Sequence, residues 1–164
     1  MAYPDDLLAL ASQLTDFDSE HRNQAILRRA VSTAYYALFH LLISEATRNW
    51  ARPELRPALG RVFDHGKMKS ASESKRAAVN AQIKSSSSVA PVSLHLHTVA
   101  ETFVQVQDKR NEADYDIAKE WTLTEVKLQI AAVHAAFESW NVIREERDAQ
   151  AYLVSLLGKR PRSE

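Results

Sequence analysis

From residue 19 to residue 49 the chain repeats apolar side chains at helical spacing, and that stretch limits the possible folds more than any other feature. On a 3.6-residue wheel Ile26, Ala30, Ala34, Ala37 and Leu41 share one side, and Leu27, Val31, Leu38 and Leu42 widen it. The spacing predicts a helix on the order of 45 Å long, capped by Asp18 or Ser19 and stopped before Pro53. Its alanines leave room for a neighbouring helix to come close. Only 3 Gly and 5 Pro occur in 164 residues, and no run alternates β-branched with polar residues as a half-buried strand does. The expected class is all-α, an up-and-down bundle of about five helices.

The other elements follow from the same spacing. Leu7, Leu8, Leu10, Ala11 and Leu14 supply the apolar side of a short helix over 5–14. Residues 51–91 read as a partly mobile excursion: a Pro-bracketed short helix over 53–63, then His65-Gly66, a weakly amphipathic stretch, and Ser85 to Ser88. Leu96, Val99, Phe103 and Val106 mark a core helix over 92–110. Thr122 and Glu125 have the spacing of a capping box, opening a helix through Val126, Ile130, Val133, Phe137 and Trp140 toward Leu157. A chain of this length buries roughly 70% of its unfolded surface as one domain. Residues 1–157 are therefore expected to form a single domain, with 158–164 as a loose tail.

Composition removes several classes of function. Without cysteine there is neither a disulfide framework nor a thiolate metal site. The start MAYPDDLLAL lacks the basic flank and apolar core of a secretion signal, and charged or polar residues interrupt every apolar run short of the ~20 needed to span a bilayer. A cytoplasmic protein is expected. No Gly-rich phosphate loop or His-Glu-x-x-His run is present; His95 and His97 diverge on a helix, so neither a metal nor another cofactor is expected. Trp50, Trp121 and Trp140 read as core or interface fillers.

The formal net charge is +0, yet residues 48–84 carry nine Lys or Arg against three acids, a local +6. Such a run is most simply a solvated surface, and it is also a surface that attracts phosphate. Two stripes depart from simple amphipathicity. Phe103, Val106 and Arg110 fall on one line, which sets an arginine where the pattern calls for a packed residue. A guanidinium there needs a partner, and Asp114 lies one turn on. Arg29, Thr33, Tyr36 and His40 recur at intervals of four, three and four, forming a polar edge beside the alanines. That edge is either an amphipathic boundary or one wall of a cleft suited to phosphate or base contacts.

Two segments, RRAVSTAYYALFHLLISEA at 28–46 and RNEADYD at 110–116, give the chain a family likeness. The first is similar to the Arg-rich start and Ala-Tyr-Tyr-Ala-x-Phe-His core of the long second helix of HEPN (higher eukaryotes and prokaryotes nucleotide-binding) domains. The second resembles the family's Arg-polar-x-x-x-His region in its Arg-x-x-Ala-Asp-Tyr variant. With the order of helices, the likeness covers most of residues 5–157.

The resemblance implies a helical domain, often paired about a two-fold axis, in which Arg110, Asn111, Asp114 and Tyr115 form the catalytic region. Arg29, Thr33, Tyr36 and His40 then lie on the substrate side. In members that cut RNA without metal, the arginine binds the scissile phosphate and a histidine five residues later handles the proton. Tyr115 holds that position here. With a reference pKa near ~10 a tyrosine is a poor general base at neutral pH, and His40 or His134 is the candidate replacement. The implied function is a toxin- or defence-type metal-independent ribonuclease, or a descendant that binds RNA without cutting. The alternative is a non-catalytic nucleotide- or partner-binding module that works with a separate minimal nucleotidyltransferase.

Overall fold

The computed structural model describes residues 2–86 and 88–158, and these form α-helices, one 3₁₀ turn and connecting loops with no strand. The helices are α1 (Tyr3–Leu14), α2 (Gln24–Thr47), α3 (Arg56–Gly60), α4 (His65–Ser85), α5 (Pro91–Tyr115), α6 (Leu123–Ile143) and α7 (Arg147–Ser155), with the 3₁₀ turn at Pro53–Leu55 before α3. The fold is all-α as expected, and the described residues hold seven helices where the spacing predicts about five.

Each difference has a local cause. α1 begins two residues early because Pro4 fits the first turn, which needs no N–H, and Asp5 and Asp6 suit its positive end. α2 begins at Gln24 because Asp18 is occupied in a turn of its own, accepting from the backbone N and Nδ1 of His21. Asn23 caps α2 instead, accepting from Ile26 N at 3.0 Å.

The weakly amphipathic part of the excursion is a 21-residue helix. Only Met68, Ser72 and Val79 of α4 are buried, which makes its periodicity thin in the sequence. Asp64 starts it by accepting from Lys67 N at 2.9 Å. α5 reaches Tyr115, five residues beyond the expected end. The last predicted helix divides at 144–146, where the extended backbone of Glu146 (ψ 144°) opens α7 and Gln150 Nε2 donates to the carbonyl of Arg144 at 2.6 Å.

Contacts group the described residues into two compact units, one from 2–41 and 102–138 and the other from 42–86, 88–101 and 139–158. In the first, Ala30, Ala34, Ala37, Tyr35, Leu38 and Phe103 are fully buried, so the alanine-rich side of α2 is a packed seam; Ile26 and Leu41 at its edges are half-buried. Trp121 is buried here too. In the second, Leu42, Met68, Leu96, Val99, Trp140, Tyr152 and Leu156 form the core. Tyr152 Oη lies 2.7 Å from Ser72 Oγ, which joins α7 to α4. Complete burial pushes the Tyr152 phenol above its ordinary range, and the Ser72 hydrogen bond only partly opposes this. Trp50 lies outside the core, 51% exposed.

The capping box at the start of α6 is present in both directions. Thr122 N donates to Glu125 Oε2 at 2.9 Å, and Glu125 N donates to Thr122 Oγ1 at 3.2 Å. Lys119 Nζ, 2.7 Å from Glu125 Oε1, and then the Thr122 backbone hold the Glu125 carboxyl down to about 2. Thr122→Ala should cost about 1 kcal/mol in urea unfolding at pH 7. The carboxylate contribution should persist above the ordinary glutamate range and fade as pH falls toward 2. An unchanged urea midpoint in Thr122→Ala would show that the box does not stabilise α6.

Candidate functional site

The candidate site lies within the first unit, at the C-terminal half of α5. Arg110 is the residue around which it is built. Its Nη2 donates to Tyr36 Oη at 2.6 Å, its Nη1 donates to Asn111 Oδ1 at 3.1 Å, and its Nε stands 3.0 Å from Asp114 Oδ2. That last contact is an ion pair whose geometry is not aligned as a hydrogen bond. The guanidinium carbon sits over two rings, 5.6 Å from the centre of Tyr35 and 5.3 Å from that of Tyr36. The Arg110 side chain is only 16% exposed. Burial works against its charge, but the Tyr36 hydroxyl, followed by the fields of Tyr36, Asp114 and Tyr35, outweighs burial and leaves its pKa raised. The arginine read from the sequence as misplaced on an apolar stripe is therefore a partnered, half-buried cation, held by the i+4 ion pair and by α2.

The other predicted residues divide. Tyr36 joins Arg110, and Asn111 and Asp114 touch it from the same helix. His40 is half-buried one turn beyond Tyr36, with its ring 6.2 Å from Tyr36 and 5.0 Å from Tyr3. Thr33 is buried at 6% exposure, on the packed side of α2, so it cannot line an open cleft. Arg29 is exposed on the same helix. Tyr115 is 74% exposed. His134 faces Ser12, at 3.5 Å from its Oγ.

Three residues that were not singled out in the sequence complete the surroundings. Tyr35, fully buried, is the second ring under Arg110. Arg28 Nη1 donates to the carbonyl of Ala113 at 2.8 Å, and its Nη2 donates to the carbonyl of Lys119. It thus satisfies a last-turn carbonyl of α5 and pins the following loop. Gln24 fixes the other end of that loop, donating to Trp121 O and accepting from Trp121 N, both at 2.8 Å. Arg28 and Gln24 stand four apart on α2, but carbonyl partners leave no trace in a sequence.

Burial lowers the pKa of His40 below the usual ~6.5. Above pH 6.5 both folded and unfolded chains hold it neutral, and its contribution is complete. As pH falls below 6.5 the unfolded chain takes up a proton that the folded one resists, so stability declines toward the lowered folded value. The urea midpoint should therefore drop between pH 7 and pH 5 by more in the parent protein than in His40→Gln. An equal drop in both would remove His40 as a source of acid sensitivity.

The second unit holds a groove of about 870 Å³ between α4 and α7, lined by Lys67, Ser70, Ser74, Lys75, Tyr152 and Ser155 among others. Much of the basic run is already partnered: Arg48 with Glu45 and Glu145, Arg56 with the Trp50 carbonyl, and Lys69 with Glu73 at 3.9 Å. Among the described residues no three His, Asp or Glu are placed to hold a metal ion, and no helix is long and apolar enough to cross a membrane.

Compared with family models, curated proteins and solved structures, the chain matches none.

Proposed function

We propose that the chain is a HEPN-like, RNA-directed domain that holds phosphate through Arg110 and binds RNA without cutting it. The observation that carries this reading is the half-buried guanidinium, stacked on Tyr35 and Tyr36 and aimed by Tyr36, Asn111 and Asp114. A planar, always-charged group with a fixed set of N–H donors suits a phosphate, and the buried setting strengthens each bond to it. Binding without cleavage is favoured because Tyr115 stands where a proton-carrying histidine is expected, and it points 74% of its surface to solvent. In a cleaving version His40 is the proton carrier, since burial keeps it neutral near pH 7. Pairing as a homodimer and a toxin or defence setting belong to this reading through the family resemblance, and a cytoplasmic location through the composition of the chain.

A second reading has the chain as the partner of a separate minimal nucleotidyltransferase. It is favoured by two large exposed side chains, Tyr115 at the end of α5 and Ile117, 93% exposed, in the loop after it that Arg28 and Gln24 hold in place. Incubating the protein with RNA in EDTA separates the possibilities. Intact RNA that is retained in a salt-sensitive complex is the expected result. Cleavage would overturn the binding-only version, and absence of any RNA affinity would leave the partner reading, which co-purification with such an enzyme tests.

A further inference from the structure

We infer that the seat on Arg110 accepts a terminal phosphate monoester rather than an internal phosphodiester, with Asp114 as the resident anion that a ligand must displace to take the Nε edge. The inference rests on the preceding reading that Arg110 binds phosphate, and it narrows the ligand.

Access is the first constraint. With only 16% of its side chain exposed, Arg110 is recessed among Tyr35, Tyr36, Asn111 and Asp114. A phosphodiester carries chain on both sides and has to lie across such a recess. A monoester carries chain on one side and can enter end-on.

Charge is the second. Residues 108–125 contain Lys109, Arg110 and Lys119 against Asp108, Glu112, Asp114, Asp116, Glu120 and Glu125, a net charge of −3. Both lysines are spoken for: Lys109 Nζ lies 3.4 Å from Glu112 Oε1, and Lys119 Nζ lies 2.7 Å from Glu125 Oε1. Arg28, held on the Ala113 and Lys119 carbonyls, offsets only part of this; a polyanion running along the segment meets carboxylates on either side of the seat, whereas a single end-on phosphate meets the Arg110 guanidinium first.

Competition is the third. The Nε edge of Arg110 faces Asp114, and Nη2 and Nη1 each donate once, to Tyr36 and to Asn111. A guanidinium has five N–H donors, so one hydrogen on each Nη remains for a ligand without loss of the Tyr36 and Asn111 bonds. Taking the Nε edge as well means displacing a carboxylate tethered one helical turn away. A monoester, close to dianionic at pH 7, does this better than a singly charged diester. Asp114 thereby acts as a filter on the charge of the ligand.

The test uses the intact protein with two short RNAs of one sequence, one carrying a 5′-phosphate and the other a 5′-hydroxyl, with binding followed by fluorescence anisotropy. The phosphorylated RNA should bind about tenfold more tightly. Adenosine monophosphate, with adenosine as control, is the competitor that tells a free nucleotide from an RNA end. Displacement by the monophosphate at micromolar concentration assigns the seat to nucleotides, and resistance to it assigns the seat to RNA ends. Asp114→Asn, with Asp114→Ala as a second variant in case the amide re-forms the contact, should tighten binding of both RNAs and reduce the tenfold preference. Circular dichroism confirms that each variant is folded. Equal affinity for the two RNAs, together with a loss of binding in Arg110→Ala, would overturn the inference and leave the phosphate-binding reading standing. Binding that ignores Arg110→Ala would instead overturn that reading.

Discussion

Arg110→Ala should lose about 2–3 kcal/mol of RNA affinity, roughly 30- to 150-fold, while the protein remains helical. A hydrogen bond to a charged group contributes ~1.5–3 kcal/mol, and a guanidinium with more than one free donor toward phosphate sits at the upper part of that range. Lysine should not rescue the loss. A single ammonium cannot meet Tyr36, Asn111 and Asp114 together while stacking on two tyrosine rings, so Arg110→Lys should stay at least tenfold weaker than the parent. Filter binding or anisotropy at fixed salt measures this, since the ionic term changes with salt concentration. Arg110→Ala with parental affinity would place RNA contact elsewhere, with the basic residues of α4 as the first alternative.

Glu45→Ala should lower stability by ~2–3 kcal/mol, the largest single-site effect expected outside the apolar core. Glu45 is 8% exposed, and its two oxygens accept from Arg144 Nη2 at 2.6 Å and Arg144 Nε at 3.2 Å, with Arg48 Nε a further 3.3 Å away. Its removal takes the carboxylate from Arg144 and leaves Arg48 with Glu145 alone, and a cation left without its partner costs more than the pair had gained. Arg144 is 39% exposed and keeps access to water, which holds the expected loss at or below the ~3–5 kcal/mol of breaking a fully buried pair. For a chain of this size the melting temperature should fall by roughly 5–10 °C. A melt within 1–2 °C of the parent would mean that water replaces the carboxylate at both arginines.

Where one side chain answers another nearby, the sequence was a good guide. Thr122 and Glu125 close the capping box their spacing predicts, Asp114 meets Arg110 one turn away, and Ala30, Ala34 and Ala37 form the packed seam of α2. Long-range and backbone-directed contacts were invisible. Arg28 serves carbonyls 85 and 91 residues distant, and Gln24 serves Trp121 at a separation of 97. The break between α6 and α7 has neither Gly nor Pro to announce it. α4 escaped notice because its inward face needs only Met68, Ser72 and Val79, one of them polar, whose hydroxyl is bonded to Tyr152. The stripe of Arg29, Thr33, Tyr36 and His40 divides for a geometric reason: at ~100° per residue the steps of four, three and four set Thr33 and Tyr36 on opposite edges, about 60° apart, so that Thr33 turns into the core while Tyr36 reaches Arg110.

The most direct measurement of the central claim is nuclear magnetic resonance of the arginine Nε–Hε groups during titration with a 5′-phosphorylated RNA. The Arg110 signal, assigned by its loss in Arg110→Ala, should shift saturably and at the same RNA concentrations as complex formation. Should that signal stay fixed while those of Arg61 or Arg76 move, phosphate is being held by the basic middle of the chain, and Arg110 is a structural cation only.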